Sequence, residues 1–247
     1  MNEGTDGMIY IRNWRDVQPK IAHMSAVHWG GLRSRNDDDP NPNDDRDRLE
    51  RLGGFARHAL QGRKTSDYHK HDTTEQVYYV LSGAGEVLYD DKRYPVSGGD
   101  AIYLPAGVHH QMFNDDNDAW LEHHVISQRV DSSGGTFAVK SWRVVPPVTD
   151  GAGAVRWQQL GPVDEGGHLR AMASIHREAV QPQGTSAWRT EAVEQVYYGL
   201  EGVGLVEVEG EGECRFMEGD MLHLPVGSRF RLRNPSEHWL VSLIMAA

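Results

Sequence analysis

Residues 68–83 read YHKHDTTEQVYYVLSG, and residues 99–114 read GDAIYLPAGVHHQMFN. The first stretch contains His69, His71 and Gln76, and the second contains His110. On a strand, His69 and His71 face the same side because side chains alternate along it. Neutral imidazoles and an amide oxygen suit a divalent first-row metal. The two stretches therefore predict one metal site built from these four residues.

The pattern of these stretches occurs twice along the chain. EQVYYVLSGAGEV at 75–87 returns as EQVYYGLEGVGLV at 194–206, and GDAIYLPAG at 99–107 returns as GDMLHLPVG at 219–227. Self-similarity of this kind predicts two copies of one structural unit. The pieces of each copy are short, rich in Val, Ile and Tyr, and bounded by Gly, Pro and Asp, which favours an antiparallel sandwich or barrel.

The sequence therefore predicts an all-β fold of two lobes. We assign the first lobe to 55–140 and the second to 155–247. The stretch SWRVVPPVTDGAGA at 141–154 is typical of a linker because it has paired prolines and a Gly-rich end. Residues 1–54 form an N-terminal arm and an acidic loop. Asp90 and Asp91 are expected to form the turn of a hairpin.

The acidic loop reads RSRNDDDPNPNDDRDRLERLGG at 33–54. Its density of Asp, Asn and Pro predicts a solvated loop with one helical turn at 46–52. A calcium loop is disfavoured, since the stretch lacks the Gly at the sixth position and the Glu at the twelfth. A mobile lid or a dimer arm is the functional alternative to a plain loop.

These motifs resemble the paired motifs of the cupin superfamily in its two-domain form. The matching positions of the first motif are His69, His71, Gln76 and Gly83. The matching positions of the second are Gly99, Pro105, Gly107, His110 and Asn114. The resemblance implies two tandem jelly-roll barrels (double-stranded β-helices), with one divalent metal, Zn, Fe, Ni or Mn, held inside the first by three imidazoles and one side-chain oxygen.

Gln76 departs from many cupins, which have Glu at this position. The neighbouring Glu75 faces the opposite side of the strand and is not expected to replace it. A neutral ligand set keeps the full charge of the metal, which favours an anionic or chelating substrate. Cupins that resemble this ligand set include zinc- or nickel-binding enzymes of sugar-acid and polyketide chemistry.

The second lobe is predicted to bind no metal by this route. By sequence offset, Trp188, Thr190 and Phe230 stand where the first lobe has histidines, and only Gln195 remains. We expect Trp188 and Phe230 to pack the second barrel, which gives that lobe a structural role or a pocket for an apolar ligand. His223, which replaces Tyr103, is expected to be a polar core residue.

Several residues beyond the ligands are candidates for catalysis in the first lobe. After Trp120 the chain carries ionisable groups that the second lobe lacks. The side chains that point into the barrel are expected to be either Glu122 and His124 or His123. The alternative is that these residues face solvent or a dimer partner. Tyr78 is a candidate proton donor, although Tyr197 repeats it in the second lobe and favours a packing role equally. Tyr103 and Met112 are the expected substrate-pocket residues.

The charge of the chain argues against two classes of partner. The formal net charge of −11 disfavours binding to nucleic acid or an anionic membrane.

One cysteine, Cys214, permits no internal disulfide and suits a reducing compartment. We find neither a signal peptide nor a membrane-spanning run, and we predict a cytoplasmic protein. Exposed barrel edges, together with the common dimerisation of cupins, favour a homodimer.

The leading functional hypothesis is a metal-dependent cupin enzyme that acts on a small oxygen-rich substrate. Lewis-acid and acid–base chemistry of the isomerase, lyase or cyclase type would follow. A non-haem iron dioxygenase that uses the same site is the first alternative. A cupin that binds a metabolite without turnover is the second alternative.

Overall fold

The computed structural model describes residues 9–36 and 45–247. Part of the predicted acidic loop, including most of the stretch considered for calcium, lies outside the described residues. No helix in the described ranges is long and apolar enough to cross a membrane.

The first half of the chain is built of short strands. In its described residues these are β1 (Tyr10–Asn13), β2 (Lys20–Ala22), β3 (Ala26–Ser34), β4 (Asp47–Leu49), β5 (Gly54–Leu60), β6 (Lys64–Thr65), β7 (Thr74–Ser82), β8 (Ala84–Tyr89), β9 (Lys92–Ser97), β10 (Asp100–Leu104), β11 (His110–Asn114), β12 (Leu121–Arg129) and β13 (Ala138–Ser141).

The second half repeats this organisation. Its strands are β14 (Val148–Thr149), β15 (Ala154–Leu160), β16 (Ser174–Val180), β17 (Arg189–Thr190), β18 (Gln195–Glu201), β19 (Val203–Val208), β20 (Gly212–Met217), β21 (Asp220–Leu224), β22 (Arg229–Arg233) and β23 (Leu240–Ala246). Three short 3-10 helices complete the described secondary structure, at Trp14–Asp16, Trp142–Val144 and Val163–Glu165.

Each lobe is a jelly roll made of one large and one small sheet. In the first lobe the strand orders are β13-β10-β7-β12-β5-β3-β2, with β4 beside β3, and β6-β11-β8-β9. In the second lobe they are β1-β21-β18-β23-β16-β15-β14 and β17-β22-β19-β20. Almost all pairs are antiparallel, and the predicted all-β fold of two tandem jelly rolls is confirmed.

The large sheets are buried on both faces, which explains the unbroken apolar run in β7. Tyr78 and Val80 point into the first barrel, whereas Val77 and Tyr79 point into a core shared with the second lobe. This core joins the two large sheets back to back. The strand parity expected from the sequence therefore holds, with both faces covered.

One strand of the first half of the chain crosses to the second lobe. β1 pairs with β21 of the second lobe, and β13 pairs with β10 of the first. The N-terminal arm was expected to lie outside the repeated unit. It contributes β1 to the large sheet of the second lobe and β3, which pairs with β5, to the large sheet of the first. Likewise, the predicted linker at 141–154 contains a 3-10 helix and the edge strand β14. These segments carry no motif, and the pairings of β1 with β21 and of β3 with β5 are non-local.

The helical turn predicted at 46–52 is wrong. Residues Asp47–Leu49 form β4, which pairs in parallel with β3. Leu49 and Leu52 are fully buried in the core between the lobes, so tertiary packing overrides the local preference. The predicted hairpin turn is confirmed: Asp90 and Asp91 have φ of 50° and 56° and join the paired strands β8 and β9.

Two buried glutamates bind the lobes together. Glu75 accepts the backbone N–H groups of 170–172 at 2.8 Å each, and the Tyr103 hydroxyl at 2.9 Å. Glu194 accepts the backbone N–H groups of 50–52 at 2.7 to 2.9 Å, and its carboxylate lies 2.7 Å from His223 Nε2. The first lobe therefore anchors the loop that precedes β16, and the second lobe anchors the loop that precedes β5.

Candidate metal centre

Three imidazoles meet at one end of the first barrel. His69 forms an isolated β-bridge with His110, the first residue of β11, through backbone hydrogen bonds of 3.2 and 2.9 Å. The carbonyl of His71 accepts the N–H of Gly107 at 2.7 Å. One ligand atom from each histidine lies within 4.8 Å of the others. The segments that carry the motif therefore bring the three predicted histidines together.

The ring nitrogens are oriented as a metal site requires. His69 Nδ1 donates to the carbonyl of Asp67 at 3.2 Å, and His110 Nδ1 donates to that of Val108 at 3.3 Å. Because a carbonyl only accepts, these contacts fix the protonated nitrogen and leave Nε2 with its lone pair. Both Nε2 atoms are buried and have no hydrogen-bond partner. Unpartnered buried nitrogens beside a third imidazole fit a divalent metal ion, which the cluster could hold.

Gln76 lies in the same cavity as His69 and His71. Its Oε1 accepts a hydrogen bond of 3.3 Å from the Tyr78 hydroxyl, one strand repeat along β7. Glu75 faces the core between the lobes, as strand parity predicts. The fourth predicted ligand is therefore on the metal side of its strand, next to Tyr78.

Histidines that sequence reasoning missed extend the cluster. His28 on β3 lies directly across from His58 on β5, with His28 Nδ1 2.6 Å from His58 Nε2, so one of the two nitrogens carries the proton. His23, in the turn between β2 and β3, stacks on His69 with ring centroids 5.0 Å apart. A sequence signal existed for His58, since it alternates with the core residue Leu60 along β5. No sequence signal in the N-terminal arm indicated His23 or His28.

Burial keeps most of these imidazoles neutral. It lowers the pKa of His28 to about 4, and it lowers those of His110 and His123 to about 3. The pKa values of His58 and His71 are also lowered, with desolvation as the main cause. Neutral imidazoles are the form that binds a metal, so the electrostatics of the cluster agree with its geometry.

The catalytic candidates on β12 separate at an irregularity in its pairing with β7, between Glu122 and His123. His123 faces the barrel interior, where its ring lies 5.1 Å from that of Tyr78 and 5.4 Å from that of His58. Glu122 lies outside the barrel and accepts hydrogen bonds from Arg57 at 2.7 Å and from Ser82 at 3.0 Å.

His124 lies in the core between the lobes, where its ring is 4.1 Å from that of Tyr198. Its Nδ1 is hydrogen-bonded to the carbonyl of Ala56 and the residue is fully buried, so His124 does not reach the metal side of the sheet. Of the four candidates, the structure therefore brings Tyr78 and His123 to the cavity side and leaves Glu122 and His124 away from it. Burial raises the pKa of Tyr78, so its hydroxyl is a neutral donor.

The two predicted substrate-pocket residues also separate. Met112 points into the first barrel, beside His69, Tyr78 and His123. Tyr103 points the other way and donates to Glu75 at 2.9 Å, because it belongs to the opposite face of β10. Tyr103 therefore has a structural contact in place of the predicted pocket role.

The cluster opens into a cavity of about 260 Å³, large enough for a small molecule. Its walls combine imidazoles with apolar groups, including Leu32, Phe55 and Val125. A concave site in which polar groups converge beside apolar walls is typical of a site for a small ligand.

A comparison with protein families decides the classification. The model of the family described as "Cupin domain" matches residues 57–124 and 176–246, which is more than half of the chain. This chain belongs to the cupin family. The two matches cover both lobes, so the protein contains two cupin domains.

Solved cupin structures share the fold. A putative glyoxylate induced protein from Pseudomonas aeruginosa has a TM-score of 0.77 and 14% identity, over 97% of this chain and 89% of that one. An oxalate decarboxylase variant from Bacillus subtilis has a TM-score of 0.75 and 12% identity, over 96% and 76%. At this identity the likeness concerns the fold.

A curated relative is similar over a shorter stretch. The oxalate-binding protein of Thermotoga maritima is 32% identical over 63 residues, which is 26% of this chain and 52% of the relative. The alignments with the curated relatives that the chain matches cover about half of their length or less.

The second cupin domain differs from the sequence prediction by one residue. Arg189 pairs with Phe230 as His69 pairs with His110, and the carbonyl of Glu191 accepts the Gly227 N–H as that of His71 accepts the Gly107 N–H. The counterparts of His69 and His71 are therefore Arg189 and Glu191, not Trp188 and Thr190. The connection from this segment to the next strand is one residue shorter in the second domain, which shifts the offset.

Charged groups occupy the second barrel where we expected aromatic packing. The fully buried Glu178 accepts hydrogen bonds of 2.5 Å from Arg156 and 2.7 Å from Arg189. Trp188 instead packs beneath the guanidinium groups of Arg229 and Arg231. The cavity at this end measures about 370 Å³. Phe230 is in the barrel core, as predicted, and His223 is a buried partner of Glu194.

Proposed function

We propose that this cupin is a metal-dependent enzyme that acts on a small oxygen-rich acid or enol. One divalent first-row ion would bind to His69, His71 and His110, with the amide oxygen of Gln76 as the fourth ligand. Such an ion supplies Lewis-acid polarisation of a carbonyl, enolate or carboxylate oxygen. The reaction class is an isomerisation, an elimination or a cyclisation that needs proton transfer.

One observation carries this proposal. The Nε2 atoms of His69 and His110 are buried, unpartnered and aimed at the same place as a third imidazole. A buried polar atom without a hydrogen-bond partner costs free energy, so two such nitrogens beside a third imidazole support a role in binding a metal ion. The neutral donor set leaves the ion its full positive charge, which favours an anionic chelating substrate.

Two residues of the first barrel support the proton transfer that this reaction class needs. The Tyr78 hydroxyl, kept neutral by burial, orients Gln76 through its hydrogen bond and is positioned to donate to an oxygen that gains negative charge. His123 lies against Tyr78, and its Nδ1 is buried without a partner. We assign proton donation to Tyr78 and proton acceptance to His123.

The substrate class is supported by the size of the cavity and by two similar proteins. A volume of about 260 Å³ is large enough for a small acid. The similar proteins are described as oxalate-binding and as oxalate decarboxylase, so the ligand that their names give is a small dicarboxylate. We extend to this chain the broader class of small acids with two adjacent oxygen donors.

The test is elemental analysis of protein purified without added metal or a chelating tag, beside His110→Ala. The proposal expects about one equivalent of Zn, Ni or Mn in the wild type and much less in the variant. Apo protein that takes up no metal on reconstitution would overturn it. Turnover of small keto acids, sugar acids and enols by the loaded protein then tests the reaction class.

Two outcomes of the same experiment favour the alternatives. Iron at one equivalent, with oxygen consumed only when substrate is present, would indicate a non-haem dioxygenase, since three imidazoles leave positions open for substrate and oxygen. Tight binding of a small acid without any product would indicate a binding protein, as the name of the Thermotoga maritima relative describes.

A further inference from the structure

The turn between β2 and β3 has an unusual backbone. His23 and Met24 have φ of 48° and 66°, in the left-handed region that residues with a Cβ adopt at a cost. Both belong to the N-terminal arm, which carries no cupin motif. Strained residues of this kind persist where the surrounding structure requires them and are found at functional sites.

The corresponding turn of the second domain has a different backbone, in which Gly151 alone has a positive φ. Lys20 pairs with His28 as Val148 pairs with Arg156, so the turn 23–25 corresponds to 151–153. The residue that corresponds to His23 is Gly151, with φ of 75°. Glycine adopts this conformation without steric cost. The first domain therefore carries a histidine in the left-handed conformation at the position where the second domain has glycine.

The His23 side chain explains the retention. Its Nδ1 lies 2.8 Å from Asp67 Oδ1, and its ring stacks on His69 at an interplanar angle of 24°. Asp67 in turn accepts the Nδ1–H of His69 with its backbone carbonyl, and its Oδ2 lies 3.6 Å from the same nitrogen. His23 thus touches the ligand ring on one face and holds the residue that fixes its tautomer.

The second domain lacks both members of this arrangement. Ala187 corresponds to Asp67, as Arg189 corresponds to His69 and Gly151 to His23. The strained histidine and the carboxylate are therefore present together in the domain with three imidazoles and absent together in the domain without them. A turn residue that served only folding would not follow the ligand set in this way.

We propose that His23 is a positioning residue of the metal centre, which fixes His69 and Asp67 from the N-terminal arm. The inference rests on the proposed metal site and adds that the site is complete only when the β2–β3 turn is docked. Hydrogen bonds to the outer nitrogen of a metal-bound imidazole orient the ring and raise its basicity. The arm then sets the metal affinity of the barrel through the contacts of His23 with His69 and Asp67.

The test compares two glycine substitutions in one turn. His23→Gly relieves the backbone and removes the imidazole, whereas Met24→Gly relieves the neighbouring residue, whose side chain is largely exposed. The dissociation constant for Zn²⁺ is measured on full-length apo protein with a competing chromophoric chelator. We expect a loss of about ten- to a hundredfold for His23→Gly and no change for Met24→Gly. The melting temperature of apo His23→Gly should be unchanged or higher.

The outcomes separate this inference from the proposed function. Wild-type protein that binds no Zn²⁺ would overturn both. Tight binding by the wild type and equal binding by His23→Gly would overturn only the role of His23. An equal loss in both variants would also overturn it, because the turn backbone would then be responsible. His23→Asn, which tolerates the left-handed backbone and can donate to Asp67, should recover part of the affinity.

Discussion

His58 and Glu178 occupy the same position in the two domains. His58 faces His28 across β5 and β3, and Glu178 faces Arg156 across β16 and β15. The first pair is two neutral imidazoles 2.6 Å apart, and the second is an ion pair at 2.5 Å. One scaffold therefore carries a neutral donor cluster in one barrel and a buried charge network in the other.

Glu178→Gln is expected to destabilise the protein strongly. Burial opposes ionisation of Glu178, but the guanidinium groups of Arg189 and Arg156 outweigh it and lower its pKa. Removing the charge takes from the two buried arginines their closest carboxylate, which Glu191, 3.8 Å from Arg156, replaces only in part, and this costs about 3 to 5 kcal/mol. Urea unfolding followed by tryptophan fluorescence measures this difference.

Glu201→Gln is the matched control for that variant. Glu201 also pairs with an arginine, Arg177, at 2.8 Å, but its side chain is 63% exposed. An exposed pair contributes less than about 1 kcal/mol. Equal losses of unfolding free energy in the two variants would contradict the assignment of the buried network as the main electrostatic support of the second barrel.

Acidification should destabilise the apo protein well above the pH at which carboxylates titrate. His123 has a pKa of about 3 when folded, against an ordinary value of 6.5. Between these values the unfolded chain binds more protons, so stability is complete above pH 6.5 and falls as the pH decreases. At pH 5 this residue alone accounts for about 2 kcal/mol.

His123→Leu tests this slope. Urea unfolding at pH 7.5 and pH 5.0, in the presence of a chelator, should show a smaller pH dependence for the variant than for the wild type, by about 2 kcal/mol. The variant's stability at pH 7.5 is measured in the same experiment and corrects for lost packing. Parallel pH profiles would show that His123 is not buried in its neutral form.

Glu75→Gln and Glu194→Gln should each weaken the junction between the domains. Each carboxylate accepts three backbone N–H groups, and an amide supplies only one acceptor oxygen and adds donors. We expect a loss of about 3 kcal/mol or more in each variant. Amide hydrogen exchange should rise at 170–172 in the first and at 50–52 in the second, and exchange that rises at neither loop would refute the proposed anchoring.

The sequence predicted the fold and the three-histidine cluster because both depend on local spacing. His69, His71 and His110 lie in motifs whose backbone bridges form within one barrel. His23 and His28 were missed because the arm reaches the site by pairing β3 with β5, and no motif reports such non-local pairing. Strand parity placed Glu75 correctly.

The remaining errors have equally local causes. The offset between repeats changes by one between the ligand segment and the next strand, so Trp188 was aligned where Arg189 belongs. On β12, the irregularity in pairing beside His123 interrupts simple alternation, and parity alone did not decide between Glu122 and His123. Tyr103 was expected in the pocket although its face of β10 packs against the other domain.

Gln76→Glu should tighten metal binding by the first domain and weaken its preference for anions. A carboxylate oxygen can keep the hydrogen bond from Tyr78 and adds a negative charge beside the three imidazoles. We expect the Zn²⁺ dissociation constant, measured by chelator competition, to decrease about tenfold or more. The affinity of the loaded protein for a small dicarboxylate, measured by calorimetry, should decrease, because the ligand set is then anionic.

Gln195→Glu provides the internal control for this change. Gln195 is the counterpart of Gln76, and its Oε1 is buried without a partner in a barrel whose neighbouring position holds Arg189 in place of a histidine. A new carboxylate there should leave Zn²⁺ binding unchanged, because Arg189 and Glu191 stand where the first domain has His69 and His71. In the first domain the added carboxylate joins three imidazoles, and in the second it does not. A lower Zn²⁺ dissociation constant for Gln195→Glu, or an unchanged one for Gln76→Glu, would therefore contradict a metal centre confined to the first domain.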